Sequence, residues 1–162
     1  MGIKLTILPH QTECIASISS VFESLDIVAS SEISANPIFD KNDINLKNNI
    51  SEIQDGKHGT FIPKCFRTNI SDEFGIDIKM ETGTGKTYCY TRLMYELNKS
   101  YGFYKFIILV PTTPIKEGTY SFINSDYAKQ HFADLYPNAR MDLFVLNSQK
   151  KTKGRKMFPQ AV

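Results

Sequence analysis

The sequence is poor in the features that would assign it to several broad classes. It has three cysteines, Cys14, Cys65 and Cys89, an odd number without a C-x-x-C pair, so spacing indicates neither a disulfide framework nor a zinc site. A reducing cytoplasm suits that pattern best. No apolar run approaches the ~20 residues of a membrane-spanning helix. The N-terminus Met1 to His10 lacks the long apolar core and small-residue cleavage site of an export signal. Met1-Gly2 with Thr6 superficially fits a myristoylation pattern, but so short a pattern matches often by chance. Charge of one sign is also missing. The net charge of +2 is too small to mark a dedicated nucleic-acid surface by electrostatics alone. No internal repeat is visible.

What is present suits a globular domain. At 162 residues, 41% hydrophobic and 22% charged, the chain is long enough to bury its own core. Ile3, Leu5 and Ile7 alternate as a short strand would. Pro9 then sits where a helix begins, with Cys14, Ile15, Ile18, Val21, Phe22 and Leu25 at helical spacing. From about residue 29 the composition shifts to Ser, Asn, Asp and Lys. Pro37, Gly56, Gly59 and Pro63 interrupt it, which reads as an irregular polar insertion with a short helix around Leu46 to Ile53.

Regular patterning returns at Phe74 to Met80, a strand candidate. Lys86 to Tyr101 places Leu93, Met94, Leu97 and Tyr101 on one helical face, and Gly102 stands where a helix ends. Phe106 to Val110 is an unbroken apolar run of the kind buried on both faces of a parallel sheet. A turn over Pro111 to Pro114 leads into another helix carrying Ile115, Phe122 and Ile123. Met141 to Leu146 is a further strand candidate. This alternation predicts an α/β fold: a partial P-loop, RecA-like domain with a mostly parallel sheet flanked by helices. Three parts are expected: 1–28, an N-terminal strand and helix; 29–73, the polar insertion; and 74–162, an incomplete motor lobe.

The chemistry concentrates in Met80-Glu81-Thr82-Gly83-Thr84-Gly85-Lys86-Thr87. Between a strand and a helix, such glycines let successive N–H groups converge on an anion, and the helix N-terminus adds partial positive charge. Lys86 would reach the β- and γ-phosphates of ATP, and Thr87 would offer its hydroxyl to Mg²⁺. The full pattern G-x-x-x-x-G-K-[ST] asks for glycine where Met80 stands, so the match is to its tail. The plain alternative is a glycine turn followed by an exposed lysine.

The phosphate loop followed by Phe106 to Pro111 resembles the start of a superfamily 2 helicase motor. More narrowly, three pieces covering about half of the chain resemble the Res subunit of type III restriction enzymes. They are Met80 to Thr87, the Tyr88 to Tyr101 helix running into Gly102-Phe103, and Val110 to Gly118. The resemblance implies an ATP-dependent site-specific deoxyribonuclease whose motor moves on double-stranded DNA and whose partner is a modification (Mod) methyltransferase. It also implies that Gln11, in Leu8-Pro9-His10-Gln11, reads adenine. A glutamine carboxamide matches the N7 acceptor and N6 donor of that base, although Gln11 could equally cap a helix. By the same resemblance, Pro111, Thr112 and Thr113 contact the DNA backbone; alternatively they form a simple turn with Thr113 as cap and Pro114 in the first helical position.

The basic stretch Lys150 to Lys156 is either a phosphate contact or a solvated loop. No acidic pair follows the loop on a later strand, where a motor would hold Mg²⁺ and prepare water. The Asp72-Glu73 pair precedes the loop. The expectation for this chain is therefore ATP and Mg²⁺ binding through Gln11, Thr82, Gly83, Thr84, Gly85, Lys86 and Thr87, with negligible turnover and no catalytic residue of its own. The alternatives are a non-catalytic nucleotide- or DNA-binding module, the start of another superfamily 2 helicase and, with less support, a small-molecule kinase.

Overall fold

Pro9, with φ preset for a helical first turn, opens α1 (Pro9–Ser20). The structure, a computed structural model of the chain, describes residues 5–32, 35–55, 67–70 and 74–146. Along α1 the spacing of Ile15 and Ile18 delivers both to the interior, and the turn that follows buries Val21 and Phe22. Asp43 caps α2 (Ile44–Gln54) by accepting a hydrogen bond from the Asn45 N–H, and Leu46, Ile50 and Ile53 form its buried stripe.

These residues make the first core, with Leu97, Tyr101 and Phe103 packed against it. Phe22 is its aromatic centre, with ring centroids 5.4 Å from Phe39 and 5.6 Å from both Tyr101 and Phe103. Asn49 Nδ2 ties α2 to the end of α1 by donating to the Val21 and Glu23 carbonyls. Residues 35–55 are thus ordered by α1 and by the far end of the next long helix. The helix expected at Leu46 to Ile53 forms, a little longer than its apolar pattern suggests.

Strands β1 (Arg67–Ile70) and β2 (Phe74–Asp77) pair antiparallel, Arg67 opposite Asp77 and Ile70 opposite Phe74. After β2 the chain turns through residues 78–85 into α3 (Lys86–Tyr101). This helix ends at Gly102 in the left-handed conformation, φ 74°, where the glycine N–H bonds the Asn98 carbonyl. Helix α1 packs along α3. Helices α4 (Thr113–Asn124) and α5 (Asp126–Leu135) follow, separated only by Ser125, whose hydroxyl caps α5 through the Ala128 N–H.

The second core joins α3 to α5 through an aromatic stack. Phe132 lies 5.5 Å from Tyr88 and 5.1 Å from Tyr95, and Tyr95 lies 5.3 Å from Tyr136. Helix α5 is not among the elements expected from the sequence, although Ser125 with Ala128, Phe132 and Leu135 at helical spacing carries its signal.

The parallel sheet expected from the sequence does not form among the described residues, whose one sheet is the β1–β2 pair. The described part of the Ile3 to Ile7 segment, Leu5 to Ile7, forms no strand, and neither do Phe106 to Val110 or Met141 to Leu146. Immediately before the first of the two later runs, the backbone is paired with a side chain. Asn36 Oδ1 accepts from the Tyr104 and Lys105 N–H groups, and its Nδ2 donates to the Lys105 carbonyl, so a side chain takes the place of a strand neighbour. Just beyond, Ile107 and Leu109 are 86% and 88% exposed, so the run is not buried on both faces. The strand expected at Phe74 to Met80 forms over its first four residues, in an antiparallel rather than a parallel pairing. Asp72-Glu73 and the basic stretch Lys150 to Lys156 lie outside the described residues.

Candidate functional site

The segment between β2 and α3 is a closed turn built on two left-handed glycines, Gly83 at φ 83° and Gly85 at φ 86°. A Cβ would be strained at either position, and at Gly85 it would also overlap Gln11 Nε2. Gly85 is the N-cap of α3. It has no side chain with which to satisfy the first-turn N–H groups, which leaves them directed out of the helix end. Lys86 folds back over the turn, its Nζ donating to the carbonyls of Met80 at 3.0 Å and Glu81 at 2.7 Å. Thr84 closes the other side through its Oγ1, which donates to the Glu81 carbonyl at 2.7 Å.

Helix α1 reaches this turn with its first residues. Gln11 is 4% exposed. Its Oε1 accepts from the Leu8 N–H at 3.2 Å and its Nε2 donates to the Thr84 carbonyl at 3.2 Å. Both ends of the carboxamide are engaged, one capping α1 and the other holding the loop. The same carbonyl is met at 3.0 Å by His10 Nε2, the imidazole donating in the tautomer that carries its proton there. His10 is not among the residues that the sequence singles out, although its place beside Gln11 in Pro9-His10-Gln11 is the available signal.

The expected site residues thus fall into two groups. Gln11 and the run Thr82 to Thr87 come together, although Gln11 is separated from the loop by more than seventy residues of chain. Thr87 is half-buried in the first turn of α3, and its carbonyl accepts from Thr91 Oγ1 at 2.7 Å. Pro111, Thr112 and Thr113 are exposed at the start of α4. Among the described residues no hydrogen bond connects them to the loop, and α4 is tied to α3 by Tyr90 Oη and Thr119 Oγ1 at 2.8 Å. Thr112, not Thr113, is the N-cap of α4, because Pro114 is accommodated in the second helical position.

A polar network farther along α3 ties that helix to α1 and to the end of α5. Tyr136 Oη donates to Glu96 Oε2 at 2.7 Å and accepts from Arg92 Nε at 3.4 Å, while Arg92 Nη1 reaches Thr12 Oγ1 on α1. Burial, reinforced by Glu96, pushes the Tyr136 phenol up to about 12. Burial lowers the affinity of His131 for a proton, and the Arg92 charge lowers it further, which keeps the ring neutral beside Tyr88 Oη at 2.9 Å. The described residues contain no cluster of metal-ligating side chains.

Comparison with known proteins identifies the family. Residues 4–160 match the family described as "Type III restriction enzyme, res subunit". The chain is 44% identical over 161 residues to the StyLTI Res subunit of Salmonella typhimurium, covering 98% of this chain and 14% of that protein. It is 37% identical to the EcoPI Res subunit of Escherichia phage P1 and 38% identical to the EcoP15I Res subunit of Escherichia coli, covering 96% of this chain and 16% of each relative. The match implies a P-loop, helicase-like fold. With the matching segment spanning nearly its whole length, the chain belongs to the type III restriction enzyme Res subunit family.

Proposed function

We propose that the chain is the ATP-binding portion of an ATP-dependent DNA translocase of the Res type. The observation that carries this reading is the turn Met80 to Thr87, in which two left-handed glycines, a side-chain-free N-cap and a folded-back lysine stand at the head of a sixteen-residue helix. These residues suit a triphosphate. The first-turn amides of α3 and the Lys86 ammonium supply hydrogen-bond donors, and a phosphate would replace the Met80 and Glu81 carbonyls as the partner of that ammonium. Thr87 would hold Mg²⁺ through its hydroxyl, and the ion would neutralise charge on the phosphate oxygens.

Gln11 would read adenine by exchanging its bonds to Leu8 and Thr84 for those of the base, which makes α1 a reporter of base identity to the loop. Pro111, Thr112 and Thr113, exposed at a helix start, suit contact with the DNA backbone without reading sequence. In this reading residues 1–28 carry the adenine contact, 29–73 an insertion, and 74–162 the motor lobe. Phe106 to Val110 and Met141 to Leu146 would be strands of a mostly parallel sheet, a reading supported by the exposure of the apolar Ile107, Leu109 and, at 83%, Leu146 side chains, which would be covered on the faces of such a sheet. By likeness to the family, the proposal extends to double-stranded DNA as track, a Mod methyltransferase as partner, nuclease action in the whole protein and a cytoplasmic setting. No described helix is long and apolar enough to cross a membrane. No adjacent acidic pair follows the loop to prepare water for hydrolysis, so binding with negligible turnover is expected of this chain.

Calorimetric titration with Mg-ATP tests the reading. The wild-type chain binds and Lys86→Ala loses most of the heat. Equal heats for the two would remove the phosphate-loop assignment, and sustained phosphate release would overturn the expectation of negligible turnover.

A further inference from the structure

The first turn of α1 directs two consecutive side chains at one oxygen. Gln11 Nε2 donates to the Thr84 carbonyl at 3.2 Å from the buried side of the helix, and His10 Nε2 meets the same atom at 3.0 Å from the exposed side. A carbonyl oxygen has two lone pairs and can take both donors. Neighbouring residues of a helix stand about 100° apart, so their convergence places the Thr84 oxygen between the two side chains. We propose that His10 is a positioning residue of the phosphate loop: it holds the Thr84 carbonyl toward α1, and so keeps the Gly85 N–H turned toward a bound triphosphate, after Gln11 has left for the base.

This role rests on the phosphate-loop reading. A trans peptide is planar with its C=O and N–H on opposite edges, and no cis peptide bond is present among the described residues. Whatever fixes the Thr84 oxygen therefore fixes the Gly85 N–H, which points the other way, away from α1. Gly85 has φ 86° and no Cβ to resist rotation, so the Thr84–Gly85 peptide depends on outside partners to keep its orientation. In the nucleotide-free chain Gln11 and His10 share that task. Once Gln11 exchanges its bonds for those of adenine, the imidazole remains on the oxygen. Its hydrogen bond also polarises the peptide and strengthens the Gly85 N–H as a donor to phosphate. Gln11 thus answers to the base, whereas His10 acts on the loop whatever base is attached.

The test is calorimetric titration of the 162-residue chain with Mg-ATP, Mg-GTP and Mg-tripolyphosphate, the last of which carries no base. His10→Phe keeps a ring and removes the donor, and His10→Gln returns an N–H at similar reach. Because His10 is exposed, both chains are expected to fold. His10→Phe is expected to weaken all three ligands by the same factor, roughly fivefold to tenfold for one hydrogen bond, and His10→Gln to recover most of that loss. Gln11→Ala is expected instead to erase the preference for ATP over GTP. A second readout is the carbonyl carbon resonance of Thr84 in the nucleotide-free chain, which should move upfield in His10→Phe and return in His10→Gln. Unchanged tripolyphosphate affinity in His10→Phe, a loss confined to ATP, or no rescue by glutamine would overturn the proposal. A wild-type chain that binds none of the three ligands overturns the phosphate-loop reading and this role with it, and the Thr84 resonance then tells that failure apart from a failure of the imidazole to hold the peptide.

Discussion

Replacing Gly85 with alanine introduces two separable penalties, and Gly83→Ala serves as the internal reference for one of them. Both glycines have φ in the left-handed region, 83° and 86°, so alanine at either suffers the left-handed penalty, about 1–2 kcal/mol. At Gly83 an added Cβ meets open space and nothing more follows. At Gly85 it collides with Gln11 Nε2, and the displaced carboxamide gives up its bonds to the Thr84 carbonyl and the Leu8 N–H. Losing two such bonds at a buried side chain adds about 2 kcal/mol. Gly85→Ala is therefore expected to destabilise the chain by about 3–4 kcal/mol, against about 1–2 for Gly83→Ala. Urea unfolding followed by far-UV circular dichroism, analysed by linear extrapolation, measures both. In a Gln11→Ala background the extra loss at Gly85 should disappear, because the clash and its bonds are already gone. Equal destabilisation by the two glycine replacements, or full additivity of Gly85→Ala with Gln11→Ala, would refute the contact between α1 and the loop.

Two further outcomes follow from the second core. Phe132→Ala removes a ring that is 2% exposed and stacked between Tyr88 and Tyr95, and is expected to cost about 3–5 kcal/mol, read as a lowered thermal midpoint. His131 has a folded-state pKa below its ordinary 6.5, so the unfolded chain takes up the proton first. Its contribution is fully present above pH 6.5 and is lost as pH falls through the folded value; His131→Asn should flatten that part of the stability profile, and an unchanged profile would contradict the assignment.

The local chemistry of the loop is legible in the sequence because it is short-range. Glycine spacing, the lysine and the apolar face of α3 need only a few neighbouring residues to specify them, and Gly102 ends that helix where its lack of a Cβ allows. What lies beyond reach are contacts between distant segments. That Asn36 takes the backbone groups of Tyr104 and Lys105 depends on residues nearly seventy positions apart, and no periodicity announces it. The same holds for Gln11, whose residue type suits both a cap and a base reader, and whose engagement with Thr84 emerges only once α1 lies along α3. The apolar run Phe106 to Val110 reads as a buried strand because composition reports what a segment can bury against, not whether a partner is at hand. Helix α5 is hard to see for a different reason: Lys129, Gln130 and Asp134 dilute a short apolar stripe of Ala128, Phe132 and Leu135.

That the turn from Met80 to Thr87 is a phosphate nest is tested most directly by titrating the isotopically labelled chain with Mg-ATP and following its backbone amide resonances. The largest shifts are predicted at Gly83, Gly85, Lys86 and Thr87, with a smaller response at Gln11, and Lys86→Ala is predicted to abolish them. Shifts confined to other surfaces, or a loop whose amides do not respond at saturating nucleotide, would contradict the phosphate nest.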